Sequence, residues 1–377
     1  MKFGTKLLHG EYTIDKTTGA LSVPIYQTST YHQENIESLG EYTYSRSENP
    51  TRKALEGTIA SLEGGEYGYA FSSGIAAAAS IISIFSAGDH LIFADDLYGG
   101  TYRLASSIFN RYGIEFSFVD AGNLNNIKEA IKQNTKAIFL ETPSNPLLKI
   151  TDLKGAIKIA KENNLITVVD NTFMSPYLQR PLELGADIVW HSGTKFLAGH
   201  SDVVAGLVVT SNKDLADRIY YIQNGFGSIL GPQDSWLTLR GIKTLKARLD
   251  IQQSNAIKIA NFLESHKNVN KVYYPGLDSH EGKGIHLGQS FGPGAVLSFE
   301  AKDYLKAKSF MDKIKYAAVA VSLGGVETII SYPAKMSHAA MPSDEREKRG
   351  IKDSLIRVSL GIEDVEDIIN DFSKALE

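Results

Sequence analysis

From about residue 50 onward, apolar positions follow two alternating rhythms. Over residues 52–63 (RKALEGTIASLE), Leu55, Ile59 and Leu62 share one helical face. Tyr67–Phe71 then reads as a short strand that ends in Ser72-Ser73-Gly74, and the Ala-rich segment 75–86 reads as a helix. Near-continuous apolar runs predict strands at His90–Ala94, Glu115–Val119, Ala137–Leu140, Leu165–Val169, Asp187–Trp190 and Val204–Val209. Helical spacing predicts helices between most of them, at 99–112, 123–133 and 152–163. Strands without polar alternation are covered on both faces. Strand alternating with helix predicts an α/β layer sandwich around a mostly parallel sheet.

The rhythm differs at both ends. Residues 1–48 are polar, broken by Gly and Pro, and nearly without periodic runs. An arm of this kind buries little surface of its own and is expected to lie across something else, such as a neighbouring subunit. A long helix is expected from Ser235 to Ser265, broken near Gly241. Strands at 271–274, 295–299, 317–321 and 355–359 follow, mixed with helices at 303–313 and 363–376. The chain thus divides into an arm (1–48), a large α/β domain (49–243) and a smaller α+β domain (244–377).

Composition narrows the classes. The chain has 377 residues, long enough for a large core that needs no covalent staple. It contains no cysteine, which removes disulfides, thiol nucleophiles and thiolate metal sites, and fits a reducing compartment. Lys+Arg 39 against Asp+Glu 43 leaves a net charge of −4, with no basic excess for nucleic acid or an anionic membrane. The start, MKFGTKLLHGEYTID, lacks the apolar core of a secretory signal. No uncharged apolar run approaches the roughly 20 residues that span a bilayer. A soluble, cytoplasmic protein is expected.

Ligands of open α/β sheets bind outside the carboxyl ends of the strands. The strand 165–169 runs into Asp170-Asn171, and the strand 187–190 into His191-Ser192-Gly193-Thr194-Lys195. Ser72-Ser73-Gly74 opens a helix, and Tyr98-Gly99-Gly100 follows the strand 90–94. Taken singly, these are a turn-forming Asp, a capping Ser, a surface Lys and a loop Tyr. Taken together they meet the needs of pyridoxal 5′-phosphate. That cofactor requires a lysine amine for its aldehyde and a carboxylate that keeps its ring nitrogen protonated. It also requires a phosphate cup, which a helix N-terminus with hydroxyl residues provides, and it gains from an aromatic ring on its face.

The segment ADIVWHSGTKFLAGHSD, ending at Asp202, resembles the cofactor-lysine motif of the Cys/Met-metabolism pyridoxal-phosphate enzymes. These include cystathionine β-lyases, γ-lyases and γ-synthases and methionine γ-lyases. Further matching motifs are VPIYQTSTY (23–31), YSRSENPTR (44–52), YGGTYR (98–103), ETPSNP (141–146), VVDNTF (168–173), SLGGVET (322–328) and LIRVSLGIED (355–364). The resemblance covers essentially the whole chain. It implies the aspartate-aminotransferase-like fold, fold type I, usually as a homotetramer of two active dimers. It implies that Lys195 is the Schiff-base lysine, Asp170 the ring-nitrogen partner and Tyr98 the stacking tyrosine. Ser73, Gly74, Ser192 and Thr194 fall where the family binds phosphate, and Tyr44 and Arg46 match residues that reach it from the neighbouring subunit. Arg357 matches the clamp on the substrate α-carboxylate, helped by Asn145 and Ser322. The freed Lys195 amine then takes the α-proton, and sulfur leaves with proton help from Lys195 or a nearby tyrosine.

These motifs are shared by all branches and do not choose the bond that breaks. Many γ-acting members carry Glu immediately before the SLGG segment, where this chain has Val321. The stretch SYPAKMSHAAMP (331–342) also looks more like bacterial β-lyases. A cystathionine β-lyase acting on a small sulfur amino acid is therefore expected, with γ-cleavage, or O-acylhomoserine chemistry, as the alternative. Other classes fail on spacing. Gly225-Phe226-Gly227 continues only to Gly231, one residue too late for a dinucleotide fingerprint. Gly276 to Lys283 has one spacer too many for a P-loop, and the nine histidines show no ligand pattern, so no metal is expected. His191, His200 and His338 read as packed residues.

Overall fold

The computed structural model describes residues 1–10, 14–339 and 343–377; residues 340–342 of the SYPAKMSHAAMP stretch lie outside them. Seven strands, β1 (Tyr67–Phe71), β2 (His90–Ala94), β3 (Glu115–Val119), β4 (Thr135–Glu141), β5 (Ile166–Asp170), β6 (Ile188–Ser192) and β7 (Gly206–Thr210), form one sheet in the order β1-β7-β6-β5-β4-β2-β3. The run from β6 through β5, β4 and β2 to β3 is parallel, and β7 is antiparallel to both its neighbours, β1 and β6. The carboxyl ends of β4, β5 and β6 therefore lie side by side, with Glu141 in register with Asp170 and Asp170 with Trp190.

Two helices fix the edge of the future site. Pro50–Glu63 starts where the Asn49 side chain accepts the Thr51 and Arg52 N–H groups and stops at Gly64 in the left-handed region. Gly74–Ile82 begins where the Ser73 hydroxyl accepts the Ala76 N–H. Its start is pressed against the sheet: a Cβ on Gly206 of β7 would lie 2.0 Å from the Ser73 carbonyl oxygen, so only glycine fits there.

A second, five-stranded sheet has the order β10-β11-β12-β9-β8, from β8 (Val269–Tyr273), β9 (Val296–Ala301), β10 (Ala318–Val319), β11 (Ile329–Ser331) and β12 (Leu355–Ser359). Its core stacks Phe299, Phe310 and Phe372 edge to face. The helix Leu245–Glu264 serves both cores: Leu245 and Leu249 pack with the core beside the large sheet, Ile259 and Leu263 with that of the small one. Among the described residues, no helix is long and apolar enough to cross a membrane.

Several expected elements change. The helix expected over 235–265 is two, Pro232–Ile242 and Leu245–Glu264. The break falls near Gly241, as expected; Gly241 itself is in the first helix, where a Cβ would fall 2.1 Å from the Ala198 carbonyl oxygen. The strand expected over 317–321 pairs only at Ala318–Val319, an exposed edge. The 99–112 helix is α-helical only through Arg103 and then passes through a π turn and a 3-10 turn. The helix Lys213–Phe226 and the short strand β11 were not predicted.

Candidate active site

A cavity of about 450 Å³ opens where the ends of β4, β5 and β6 face the small sheet. Its lining brings together Ser73, Gly74, Tyr98, Asn145, Asp170, Ser192, Thr194, Lys195, Val321, Ser322 and Arg357, residues drawn from both sheets.

Asp170 ends β5. Its Oδ1 accepts the Thr172 N–H (3.0 Å) and the Thr172 hydroxyl, which itself accepts the Ser192 N–H at 2.8 Å. With both Thr172 bonds on one oxygen, the other is available to a cation in the cavity. Burial pushes the carboxyl up from its ordinary range, while the Thr172 bonds and the His191 charge oppose that rise.

At the next strand end, Ser192 leads into the loop that carries Lys195. Thr194 pins this loop by donating to the Ala205 carbonyl (3.3 Å) and accepting its N–H (3.0 Å). Ser73 and Gly74, at the N-terminus of Gly74–Ile82, close against Ser192: a Cβ on Gly74 would sit 2.9 Å from the Ser192 Cβ. Backbone N–H groups of a helix start and three hydroxyl residues thus converge on one end of the cavity, a cup suited to an anion.

The Lys195 amine donates to the Ser322 hydroxyl at 2.6 Å. Burial, reinforced by the Arg357 charge, lowers it to about 8, so roughly a tenth of the amine is an unprotonated nucleophile or base at pH 7, far more than for an ordinary lysine. Arg357, on β12, is fixed by its own bonds. Its Nη1 donates to Asn145 Oδ1 (3.0 Å), and its Nη2 donates to the Ser322 carbonyl (2.6 Å) and the Ser331 hydroxyl (3.0 Å). Burial lowers its guanidinium to about 10, which still leaves a full cation at neutral pH. Its Nε is buried without a partner among the described residues, the kind of donor that an incoming carboxylate satisfies.

Tyr98 is 42% exposed, and its ring lies over Gly100, where a Cβ would fall 2.4 Å from the ring. Its N–H donates to Glu141 Oε2 at 2.9 Å. Glu141 was not singled out from sequence, although it stands at a strand end inside ETPSNP. Burial, and then the neighbouring Asp170 charge, hold its carboxyl well above the usual range. Thr172 and Ser331 were also missed; only a hydroxyl two residues after a strand-end Asp signalled the former. Val321 is 66% exposed at the rim.

Tyr44 and Arg46 stand apart from this cavity within the chain. They line a separate hollow of about 390 Å³ with Gly227 and Ile229, and Arg46 Nη1 donates to the Asn224 carbonyl at 2.8 Å. The histidines read as packed residues are half-buried (His200) or buried (His191, His338), and His200 Nδ1 bonds the Ala198 carbonyl. His191 does more than pack, since it pairs with Glu63 at 2.6 Å.

The donor set fits pyridoxal 5′-phosphate: a carboxylate with an oxygen to spare for a protonated ring nitrogen, an amine of lowered basicity, an anion cup and an exposed aromatic face. Fold and site together define a pyridoxal-phosphate-dependent enzyme of fold type I. The chain belongs to the Cys/Met metabolism PLP-dependent enzyme family, whose model matches residues 4–377. It is 56% identical to a cystathionine beta-lyase of Lactococcus lactis subsp. cremoris over 99% of this chain and 98% of that protein. It is also 51% identical to a cystathionine gamma-lyase of Bacillus subtilis over the whole of both. The crystal structure of a cystathionine gamma-lyase from Lactobacillus plantarum complexed with L-serine superposes with a TM-score of 0.98 at 47% identity, covering 100% of this chain and 98% of that one.

Proposed function

We propose that the protein is a cystathionine β-lyase, cleaving L-cystathionine to homocysteine, pyruvate and ammonia. The observation that carries this reading is the rim: the cavity that holds the amine and the guanidinium is lined there by an exposed valine, Val321. The carboxylates that line the cavity, Glu141 and Asp170, both sit at its large-sheet end.

When bound, pyridoxal phosphate supplies an aldehyde for the substrate amine and a protonated ring that draws electrons from Cα. Asp170 would hold the ring nitrogen, Tyr98 the ring face, and Ser73, Gly74, Ser192 and Thr194 the phosphate. Arg357, oriented by Asn145 and the Ser322 carbonyl, takes the substrate α-carboxylate and so sets the Cα–H bond toward Lys195. The Ser322 hydroxyl, 2.6 Å from the Lys195 amine, helps to hold that amine in the cavity. Lys195 then removes the Cα proton as general base and can return a proton to the departing sulfur. We infer that Tyr44 and Arg46 complete the phosphate cup of a neighbouring subunit in a homotetramer, with the arm 1–48 lying across that neighbour. The large domain (49–243) then carries the cofactor residues and the smaller one (244–377) the carboxylate clamp. The separation of Tyr44 and Arg46 from the cavity of their own chain supports this.

Incubation with L-cystathionine and pyridoxal phosphate, with the keto acid identified by mass spectrometry, tests the reading. Pyruvate with homocysteine is expected. 2-Oxobutyrate with cysteine would mean γ-cleavage and would discard Val321 as the specificity signal.

A further inference from the structure

Behind Asp170, away from the cavity, lies a buried acid–imidazole pair that the roles above leave unused. Glu63 is the last residue of the helix Pro50–Glu63 and His191 lies in β6; their side chains are 0% and 1% exposed. His191 Nε2 and Glu63 Oε1 are 2.6 Å apart, and the same oxygen accepts the Asn171 side-chain N–H at 2.8 Å. Asn171 follows Asp170 in the chain. His191 precedes Ser192, whose N–H goes to the Thr172 hydroxyl that bonds Asp170. One carboxylate therefore grips the neighbour of the ring-nitrogen partner and the neighbour of the phosphate cup.

Its charge has one available counterpart. A buried charge on Glu63 needs a partner, and His191 is the base that its Oε1 touches. The titratable groups that face His191 are Glu63 from the helix and Asp170 from β5. On its other side β7 presents Leu207, and the helix Gly74–Ile82 packed on β6 has no charged residue. Among the described residues, these two acids flank the ring. His191 Nδ1 and Glu63 Oε2 are both buried without a partner among the described residues. A charge on His191 would stand between those of Glu63 and Asp170, the residue that is to hold the ring nitrogen.

We propose that Glu63 is a positioning residue of the active site, holding His191 as an imidazolium that keeps Asp170 ionised and locking together the ends of β5 and β6. The proposal rests on Asp170 being the partner of the ring nitrogen. The test is ¹⁵N spectroscopy of histidine-labelled full-length protein at pH 7, with and without pyridoxal phosphate, the His191 signals being assigned by their loss in His191→Gln. Two protonated ring nitrogens are expected in the native protein, and one unprotonated nitrogen in Glu63→Gln. Cofactor affinity should fall about tenfold in Glu63→Gln and recover partly in Glu63→Asp. A neutral His191 ring in the native protein overturns the proposal, whatever Glu63→Gln does. Unchanged cofactor affinity in Glu63→Gln overturns it as well, provided Asp170→Asn weakens the cofactor. If Asp170→Asn binds the cofactor as tightly as the native protein, it is the role of Asp170 that fails.

Discussion

On the large-sheet wall of the cavity, parallel strand ends place Asp170 beside Glu141, and burial raises both carboxyls. On the small-sheet wall, Arg357 is lowered to about 10 and is surrounded by neutral acceptors: Asn145, the Ser322 carbonyl and Ser331. Each wall keeps buried ionisable groups of one sign, which is costly until a ligand of the opposite sign arrives. The anionic wall suits a protonated heterocycle, and the cationic wall suits an α-carboxylate. Lys195 stands between them and bonds across to Ser322; burial and the Arg357 charge tune its amine toward neutrality.

The largest break in this arrangement is Lys195→Ala. Loss of the group between the walls should lower turnover by roughly 10⁴-fold, as for removal of a general base. Pyruvate release measures it, and near-native turnover would sink the assignment. The same amine can be followed in the native chain. Protonated below about pH 8 and neutral above it, Lys195 should make cofactor uptake by the stripped protein rise with pH from 6 and level off beyond about 8. A flat profile by stopped-flow absorbance would contradict that ordering of charge. Next in size is the cationic wall. Arg357→Ala should lower kcat/KM about 10²-fold, and Arg357→Lys should restore little, because a point charge cannot use three acceptors arranged for a planar fork. A variant that shifts only the melting temperature would make Arg357 a structural arginine. The smallest effect is at the rim. Val321→Glu should leave cofactor binding unchanged and move the ratio of 2-oxobutyrate to pyruvate upward by a few-fold; an unaltered ratio would show that the rim does not set the bond cleaved.

What was legible in the sequence follows the range of the forces involved. Apolar and aromatic runs gave β1, β2 and β3 with their observed ends, although only β2 is buried along its whole length and β1 and β3 are the sheet edges. Three-residue β11 is too short for any periodicity, and the helix Lys213–Phe226 carries an exposed Tyr221 and Phe226 that blur its apolar stripe. Asp170 and Lys195 were found as charges in the loops that follow strand ends, and Arg357 through the resemblance carried by LIRVSLGIED. Glu141, Thr172 and the Glu63–His191 pair were not, since their meaning depends on register: Glu63 and His191 are 128 positions apart and meet only when a helix end is packed under the sheet.

The two bonds that tie the walls together, Lys195 to Ser322 and Arg357 to Asn145, join residues 127 and 212 positions apart. On a ribosome adding about 5–20 residues per second, the lysine is made on the order of ten seconds before the serine that holds it. The newborn chain therefore passes through an interval in which its amine exists without its restraint, and the carboxylate clamp, contributed by one of the last strands to be made, is the piece that turns a reactive lysine into a selective one.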